Sequence, residues 1–279
     1  MIHLNHLAGD LRTDLAAERR HADPDTPGVD FTERKDGVIG ITRLTVTSEE
    51  GAREIGKPCG TYLTLDFPPL FETDDDTACR AGAIIARQLT ELLPQENGHP
   101  LLVAGLGNRA LTADAVGPAA AERITATGHL RDSGICVLTP GVTGQSGTEA
   151  GTLIRGAARE LGARAVIVID ALCARSSERL ACTIQISDTG LTPGSGIRLP
   201  RAAVNRETVG VPVIAVGVPT IVSSAALVYD ALERAGADEI PDAFTDLFRD
   251  DTLYVCPKSI DEGVENAAYL IADGISRLG

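Results

Sequence analysis

Three short apolar runs constrain the fold more than any other feature of this sequence. They are LLVAG at 101–105, AVIVI at 165–169 and VPVIAV at 211–216, and each ends at or is followed directly by a glycine or an aspartate. Because nearly every side chain in them is apolar, we expect strands that are covered on both faces. Stretches with helical spacing lie between the runs. The sequence therefore predicts a layered α/β/α fold around a central sheet that is mostly parallel or mixed.

Weaker patterns complete the predicted order of elements. Further strands are expected at 37–46, 59–67, 135–139, 183–187 and 253–256. Helices are expected at 74–93, 112–126, 148–161, 223–235 and 259–278. The first 36 residues or so are polar and rich in charge, proline and threonine, so they are predicted to form a loosely attached arm.

Charge and cysteine usage exclude several classes of function. The 279 residues carry 39 acidic and 25 basic side chains, a net charge of −14, which disfavours direct binding to nucleic acid or to an anionic membrane. No apolar run reaches the ~20 residues that span a bilayer, and no secretion signal is evident. The six cysteines form no C-x-x-C pair, so free thiols in a reducing compartment are expected. The five scattered histidines do not suggest a metal site, and we expect no metal or cofactor.

Two aspartates are the leading candidates for chemistry. Asp114 and Asp170 each come shortly after a predicted core strand. The carboxyl ends of parallel strands meet at one edge of a sheet, so both side chains should face the same cleft. Two neighbouring carboxyl groups cannot both ionise easily, and one can take a proton from water while the other donates one. The alternative is purely structural, with Asp114 as a helix cap and Asp170 as a turn acid.

Other patterns are weaker. Residues 105–110 (GLGNRA) fit the loose dinucleotide pattern G-x-G-x-x-A, but no acidic residue ends the next predicted strand and the next helix starts late, so a tight strand-to-helix turn is the favoured explanation. Asp188 begins the tripeptide DTG, which is typical of all-β aspartic proteases but here lies in a turn-rich loop. Cys173 could act as a nucleophile with His129 as its base, although no local signature supports this. Ser146 lies outside the frame of G-x-S-x-G. The roles of Asp188, Cys173 and His129 stay open.

Several long blocks of sequence, taken in order, resemble the germination protease family, whose members degrade small acid-soluble proteins in germinating bacterial spores. The blocks are LRTDLAAE (11–18), GLGNRALTADAVGP (105–118), TGHL (127–130), PGVTGQSGTE (140–149), IDALCARSSERL (169–180), TIQISDTGLTPGSG (183–196), GVPVIAVGVPTIV (210–222) and VCPKSID (255–261). They cover most of residues 105–222 and sample both ends.

The resemblance selects Asp114 and Asp170 as the catalytic pair of an atypical aspartic endopeptidase that uses no metal. It implies a core fold like that of the hydrogenase-maturation peptidases, and a metal-binding peptidase of that type is the alternative function. It also implies small acid-soluble spore proteins as substrates, a cytoplasmic location in the spore core and assembly as a homotetramer. Some positions depart from the family pattern: Ala113 and Val116 are mild changes, residues 197–199 alter a substrate loop, and the stretch 230–253 is short.

The resemblance further implies synthesis as a zymogen. Residues 1–14 would form a propeptide-like arm, and residues 15–279 a single peptidase domain. The family removes its propeptide at a bond that corresponds to Asp14–Leu15. Because residues 12–18 lie in a polar stretch, we expect them to be exposed to cleavage. We expect the arm to lie over or near the cleft, with apolar contacts from Leu4, Leu7 and Leu11.

Overall fold

A nine-stranded mixed sheet forms the centre of the protein in the computed structural model. The structure describes residues 2–3, 11–19, 26–95, 98–130, 133–197, 201–241 and 253–278. The strands are β1 (Ile2–His3), β2 (Val29–Asp36), β3 (Ile39–Val46), β4 (Gly60–Asp66), β5 (Leu101–Gly105), β6 (Ile135–Leu138), β7 (Ala165–Ala174), β8 (Thr183–Ser187), β9 (Val213–Ser223), β10 (Glu239–Ile240) and β11 (Tyr254–Val255).

The sheet has a parallel half and an antiparallel half. The strand order is β2-β3-β4-β8-β9-β7-β5-β6, and β11 pairs with the end of β9. Strands β9, β7, β5 and β6 run parallel, whereas β2, β3, β4 and β8 are joined by antiparallel pairing. Strand β8 joins the two halves by pairing antiparallel with β9. The separate pair β1 and β10 forms a two-stranded sheet. The prediction of a mixed central sheet is confirmed.

Eight α-helices are described. They are α1 (Glu49–Ile55), α2 (Asp75–Leu92), α3 (Val116–Arg123), α4 (Thr143–Ser146), α5 (Ala150–Leu161), α6 (Arg206–Val209), α7 (Ser224–Arg234) and α8 (Ile260–Ser276). Short 3₁₀ turns occupy Ala16–Arg19, Pro69–Phe71, Thr112–Asp114, Ser177–Arg179 and Ser195–Ile197. Local chemistry sets several boundaries: Asp74 Oδ1 accepts a hydrogen bond from Thr77 N at 2.8 Å and so caps the start of α2.

The alternation of side chains along the strands divides the core between the two faces of the sheet. On β7, Ile167 and Ile169 point into a cluster formed with α2, α3 and α8, while Val166 and Val168 point into a second cluster with α5. Both clusters consist mainly of aliphatic residues that are almost fully buried, and the first also contains Phe67 and Phe71. Helices therefore cover both faces, as the apolar runs predicted.

Four differences from the predicted elements have physical causes. Residues 29–36, assigned to the loose arm, form β2 at the edge of the sheet, where a charged strand can remain solvated. Helix α1 was missed. The helix expected from residue 112 begins at Val116, after a 3₁₀ turn. Strand β7 continues to Ala174 because it stays paired with β9 through a register shift, so Asp170 lies within a strand rather than after it.

Two further properties concern the described part of the chain. No helix among the described ranges is both long enough and apolar enough to cross a membrane. All six cysteines lie in those ranges and are free thiols. Leu4 and Leu7, to which the sequence assigned contacts of the arm, lie outside the described residues.

The N-terminal end of α3 packs directly against the backbone of β5, of β7 and of the turn after β5. A Cβ atom on Gly117 would lie 2.2 Å from Leu106 O and 2.4 Å from Ile169 O. A Cβ atom on Gly105 would meet Gly117 O at the same distance, 2.2 Å. This close approach brings the turn that carries Asp114 against the strand that carries Asp170, and only glycine permits it.

Substitution Gly117→Ala is expected to lower the free energy of unfolding by about 3 kcal/mol, near the upper end of overpacking costs, because the atoms it meets belong to the backbone and cannot turn away. Urea unfolding of the purified proteins measures this. Gly156→Ala is the matched control, since Gly156 lies on the exposed face of α5 with no atom within 4 Å of its Cβ position. That change should be neutral or stabilise by up to about 1 kcal/mol. Equal stability of the two variants would contradict the account of Gly117.

Candidate active site

Asp170 is an ionisable side chain within a strand that is covered on both sides. It is 8% exposed and stands opposite Gly217 of β9 in the parallel register. One carboxylate oxygen, Oδ1, accepts a hydrogen bond from Ala171 N at 2.9 Å. Burial raises the pKa of Asp170 well above its ordinary value, and the nearby charges of Asp114 and Asp14 raise it further. The surroundings of Asp170 therefore favour its protonated form.

Asp114 is held by the glycine turn that follows β5. Its Oδ2 accepts a hydrogen bond from Asn108 N at 2.7 Å. The turn closes tightly because Gly107 has a φ of 114°, and a Cβ atom there would lie 2.0 Å from Asp114 O. Burial raises the pKa of Asp114, while the hydrogen bond from Asn108 and the charge of Arg201 act in the opposite direction. The glycines of residues 105–110 therefore serve to hold this carboxylate, which explains the dinucleotide-like pattern without a nucleotide.

Both aspartates line one large cleft of about 1280 Å³. The cleft lies on the side of the sheet that carries Asp170 and Leu172 of β7, and Gln185 of β8 also lines it. Gly217 stands between Asp170 and Gln185 in the register of the sheet, opposite both of them. The expectation that Asp114 is a helix cap is wrong, because α3 has Ala115 at its N-cap and no side chain caps it.

The N-terminal segment enters this cleft through Asp14. Asp14 N donates to Cys173 O at 2.9 Å, and Asp14 Oδ2 accepts from Cys173 N at 2.9 Å. The other carboxylate oxygen accepts from Ser195 Oγ at 2.7 Å. The backbone carbonyl oxygen of Asp14 accepts from Lys57 Nζ at 2.8 Å and from Gln185 Nε2 at 3.1 Å. Every polar group of this residue is therefore bonded to the walls of the cleft.

The residues after Asp14 are anchored as firmly. Leu15 is fully buried against Leu172 and Ala174. Ala16 N donates to Gln185 Oε1 at 2.7 Å. The carboxylate of Glu18 accepts from two backbone N–H groups at the end of β7, Arg175 N at 2.7 Å and Ser176 N at 2.9 Å. The segment thus runs along the end of β7 with alternating polar and apolar anchors.

These contacts correct one expectation about the arm. Residues 12–18 were expected to be exposed because they are polar, but Thr13, Leu15 and Ala16 are buried. The carboxylates of Asp14 and Glu18 bond to protein groups instead of water, Asp14 in the cleft and Glu18 at the end of β7. Sequence reasoning also missed Lys57, Gln185 and Ser195. For Gln185 a signal existed, since it is a polar residue inside the otherwise regular strand pattern TIQIS.

The other candidate residues do not join the aspartate pair. Asp188 Oδ1 accepts from Thr61 N at 2.8 Å, so its carboxylate holds the start of β4. Cys173 is 1% exposed and its Sγ contacts Ala174 O, whereas His129 is exposed. Ser146 Oγ donates to Thr148 O within its own loop. In the part of the chain that the structure describes, no three His, Cys, Asp or Glu side chains are grouped to hold a metal ion.

Comparison with known proteins gives consistent matches. The family model described as germination protease matches residues 7–235. The germination protease of Caldanaerobacter subterraneus subsp. tengcongensis is 38% identical over 235 residues, which covers 80% of this chain and 72% of that protein. That of Clostridium perfringens is 34% identical over 305 aligned positions, 95% of this chain and 94% of that protein. That of Priestia megaterium is 34% identical over 246 residues, 80% of this chain and 66% of that protein.

A solved structure also shows some likeness. It is a nickel–iron hydrogenase maturation protease from Thermococcus kodakarensis, with a TM-score of 0.38 and 17% identity, covering 65% of this chain and 95% of that chain. The sequence matches suffice: the family model spans most of the chain, and the relatives from Caldanaerobacter and Clostridium are covered over more than two thirds of their length. The chain therefore belongs to the germination protease family.

Proposed function

We propose that this protease of the germination type is an endopeptidase that starts the degradation of small acid-soluble spore proteins, and that Asp114 and Asp170 activate the attacking water. The observation that carries the mechanism is the meeting of two carboxyl groups with unequal surroundings in one cleft. The resemblance to the family further supports a cytoplasmic location in the spore core and assembly as a homotetramer.

The unequal surroundings assign the two roles. The buried Asp170, with two negative neighbours, favours the protonated state. Asp114 receives a hydrogen bond from Asn108 N and the positive charge of Arg201, which both favour ionisation. Asp114 is therefore the general base and Asp170 the general acid, since environments that push two pKa values apart define such assignments.

Proton transfer in the proposed reaction balances without a cofactor. Asp114 takes a proton from the attacking water as the water oxygen bonds to the carbonyl carbon of the substrate. Asp170 gives its proton to the leaving nitrogen as the carbon–nitrogen bond breaks. One proton then passes from Asp114 to Asp170 and restores both groups for the next cycle.

The seating of Asp14 in the cleft supports synthesis as a zymogen that cuts itself between Asp14 and Leu15. We place the removable arm at residues 1–14 and the peptidase domain at residues 15–279. The resemblance implies substrate sites in which an acidic residue precedes an apolar residue that is followed by alanine. Asp14, Leu15 and Ala16 have this pattern. The intact segment forms part of the wall of the cleft, and we expect it to restrict the entry of a substrate until the arm is removed.

Substitution of either catalytic aspartate by asparagine is expected to slow cleavage of a small acid-soluble spore protein by about 10²–10⁴-fold, because asparagine keeps the shape and removes the acid–base function. Asp188→Asn is the matched control and should keep much of the activity, because that carboxylate holds Thr61 N rather than facing the pair. The rates are read from gel or mass-spectrometric time courses. Near wild-type rates for Asp114→Asn or Asp170→Asn would refute the mechanism.

The same assay after dialysis against a chelator separates the main proposal from the metal-binding alternative. Activity should survive because a protonated and an ionised carboxyl group need no Lewis acid. Loss of activity with rescue by a divalent ion would instead favour a peptidase of the hydrogenase-maturation type.

The difference in stability between the wild type and the Asp170→Asn variant should depend on pH in a defined direction. The raised pKa of Asp170 means that the folded protein binds a proton that the unfolded chain has lost above pH ~4. Wild-type stability therefore declines as pH rises, at up to about 1.4 kcal/mol per pH unit, until Asp170 ionises in the folded state. Asparagine removes this slope. Urea unfolding from pH 4 to 8 should show the variant gaining stability relative to wild type; a constant difference would show that the pKa of Asp170 is not raised.

Processing at the proposed bond gives a further test. The mature protein should begin at Leu15 by N-terminal sequencing, and a chain that starts at Leu15 should cleave substrate without a lag. The Asp114→Asn chain should keep its full length, because it lacks the base for its own cleavage. An equally active full-length protein, or a mature start beyond about residue 20, would show that the arm is a passive extension.

A further inference from the structure

Two side chains from distant parts of the sequence hold the carbonyl oxygen of Asp14. Lys57 Nζ donates to it at 2.8 Å and Gln185 Nε2 at 3.1 Å. Lys57 follows the left-handed Gly56 that ends α1, and Gln185 lies in the middle of β8. A peptide carbonyl oxygen that receives one ammonium and one amide donor is polarised toward the charge distribution of a tetrahedral intermediate.

The side chain of Asp14 fits its surroundings closely. Its carboxylate accepts from Ser195 Oγ and Cys173 N, and Gly196 packs against it: a Cβ atom on Gly196 would lie 2.3 Å from Asp14 Oδ2. Leu15 then fills the apolar site beside Leu172. The walls of the cleft therefore hold an acidic residue and the apolar residue after it, as a protease holds the two residues that flank a cut.

The sheet places Gln185 level with Asp170. Gln185 and Asp170 both stand opposite Gly217, one on each side of β9. The side chain of Leu172 covers Gly217, and Leu15 packs against Leu172. The peptide bond that joins Asp14 to Leu15 therefore lies beside Gln185, and the charge of Asp14 is close enough to Asp170 to raise its pKa.

We infer that Lys57 and Gln185 are catalytic residues that bind the carbonyl oxygen of the bond to be cut and stabilise the negative charge that develops there. The inference rests on the proposed function. When the water oxygen bonds to the carbonyl carbon, the π electron pair of the carbonyl moves to its oxygen, where both donors stabilise it. The pair returns as the carbon–nitrogen bond breaks. Neither Lys57 nor Gln185 gains or loses a proton in this sequence.

The charge on Lys57 makes the proposed stabilisation of the oxyanion depend on pH. The charged groups that act on its ammonium are the carboxylates of Asp14 and Glu18 and the guanidinium of Arg19. Burial is the largest influence and lowers the pKa of Lys57 to about 8. The cation is present below this pH and is lost above it, so the stabilisation of the oxyanion should fall as pH rises through about 8.

The test compares self-cleavage between Asp14 and Leu15 in the full chain, in three variants of the two donors and in one control variant, by mass spectrometry from pH 5.5 to 10. Lys57→Met should slow cleavage by about 10²–10³-fold, the usual cost of losing one oxyanion donor. Gln185→Glu keeps an acceptor for Ala16 N but removes the donor to Asp14 O, and should slow it by at least about 10-fold. Lys57→Arg should retain part of the rate, and its alkaline decline near pH 8 should disappear because arginine stays charged. Lys35→Met, at an exposed position on β2, controls for loss of a positive charge.

The outcomes separate this inference from the proposed function. If wild type cleaves itself and both Lys57→Met and Gln185→Glu match its rate, the inference fails while the protease mechanism stands. If the wild-type chain never cuts this bond and never cuts an added substrate, both fail. If Lys57→Met loses its cooperative unfolding transition and so fails to fold, the Lys57→Arg variant provides the test. A self-cleavage rate that still declines near pH 8 in this variant would overturn the inference. With added substrate, the loss should fall on kcat rather than on KM, because the donors act mainly in the transition state.

Discussion

The burial of Asp170 inside a central strand is the constraint on which the rest of the cleft depends. An ionised carboxylate at such a place costs several kcal/mol, so the group must stay protonated or have partners. Here the opposite position is Gly217, a single backbone N–H contacts the carboxylate, and the other carboxyl groups nearby are negative. The strand thus favours a protonated carboxyl group at the wall of the cleft. The close approach at Gly105 and Gly117 brings the second carboxyl, on Asp114, to the same cleft.

The N-terminal segment changes the electrostatics of the cleft as well as its access. The carboxylate of Asp14 adds a third negative charge and raises the pKa of Asp170. If the chain is cut after Asp14 and the arm departs, this contribution is lost and the pKa of Asp170 falls. Removal of the arm would therefore lower the proton affinity of the acid at the same time as it opens the cleft.

The sequence predicted what depends on local pattern and missed what depends on distant contacts. The aliphatic runs at 101–105 and 165–169 located the central strands because covered strands need continuous apolar side chains. Strand β2 was not predicted, because an edge strand can carry four consecutive charged residues in contact with water. Asp114 and Asp170 were found from their positions relative to strands. Lys57 and Gln185 were not, because the contact between Gln185 and Asp14 joins residues 171 positions apart, and no local spacing encodes such a contact.

The position of the cleft at the junction of the two halves of the sheet has a consequence for the timing of folding. Asp170 stands on the parallel half, while Gln185 stands on β8, which joins the antiparallel half through its pairing with β4. Strand β4 pairs early with β3, but its other edge must wait for β8, more than a hundred residues later in the chain, and such non-local pairing forms slowly. During synthesis, neither half alone contains the full set of residues around the cleft. On the proposed mechanism, a growing chain carries Asp114 and Asp170 on the parallel half before Gln185 joins them, so full activity waits until β8 has paired with β9.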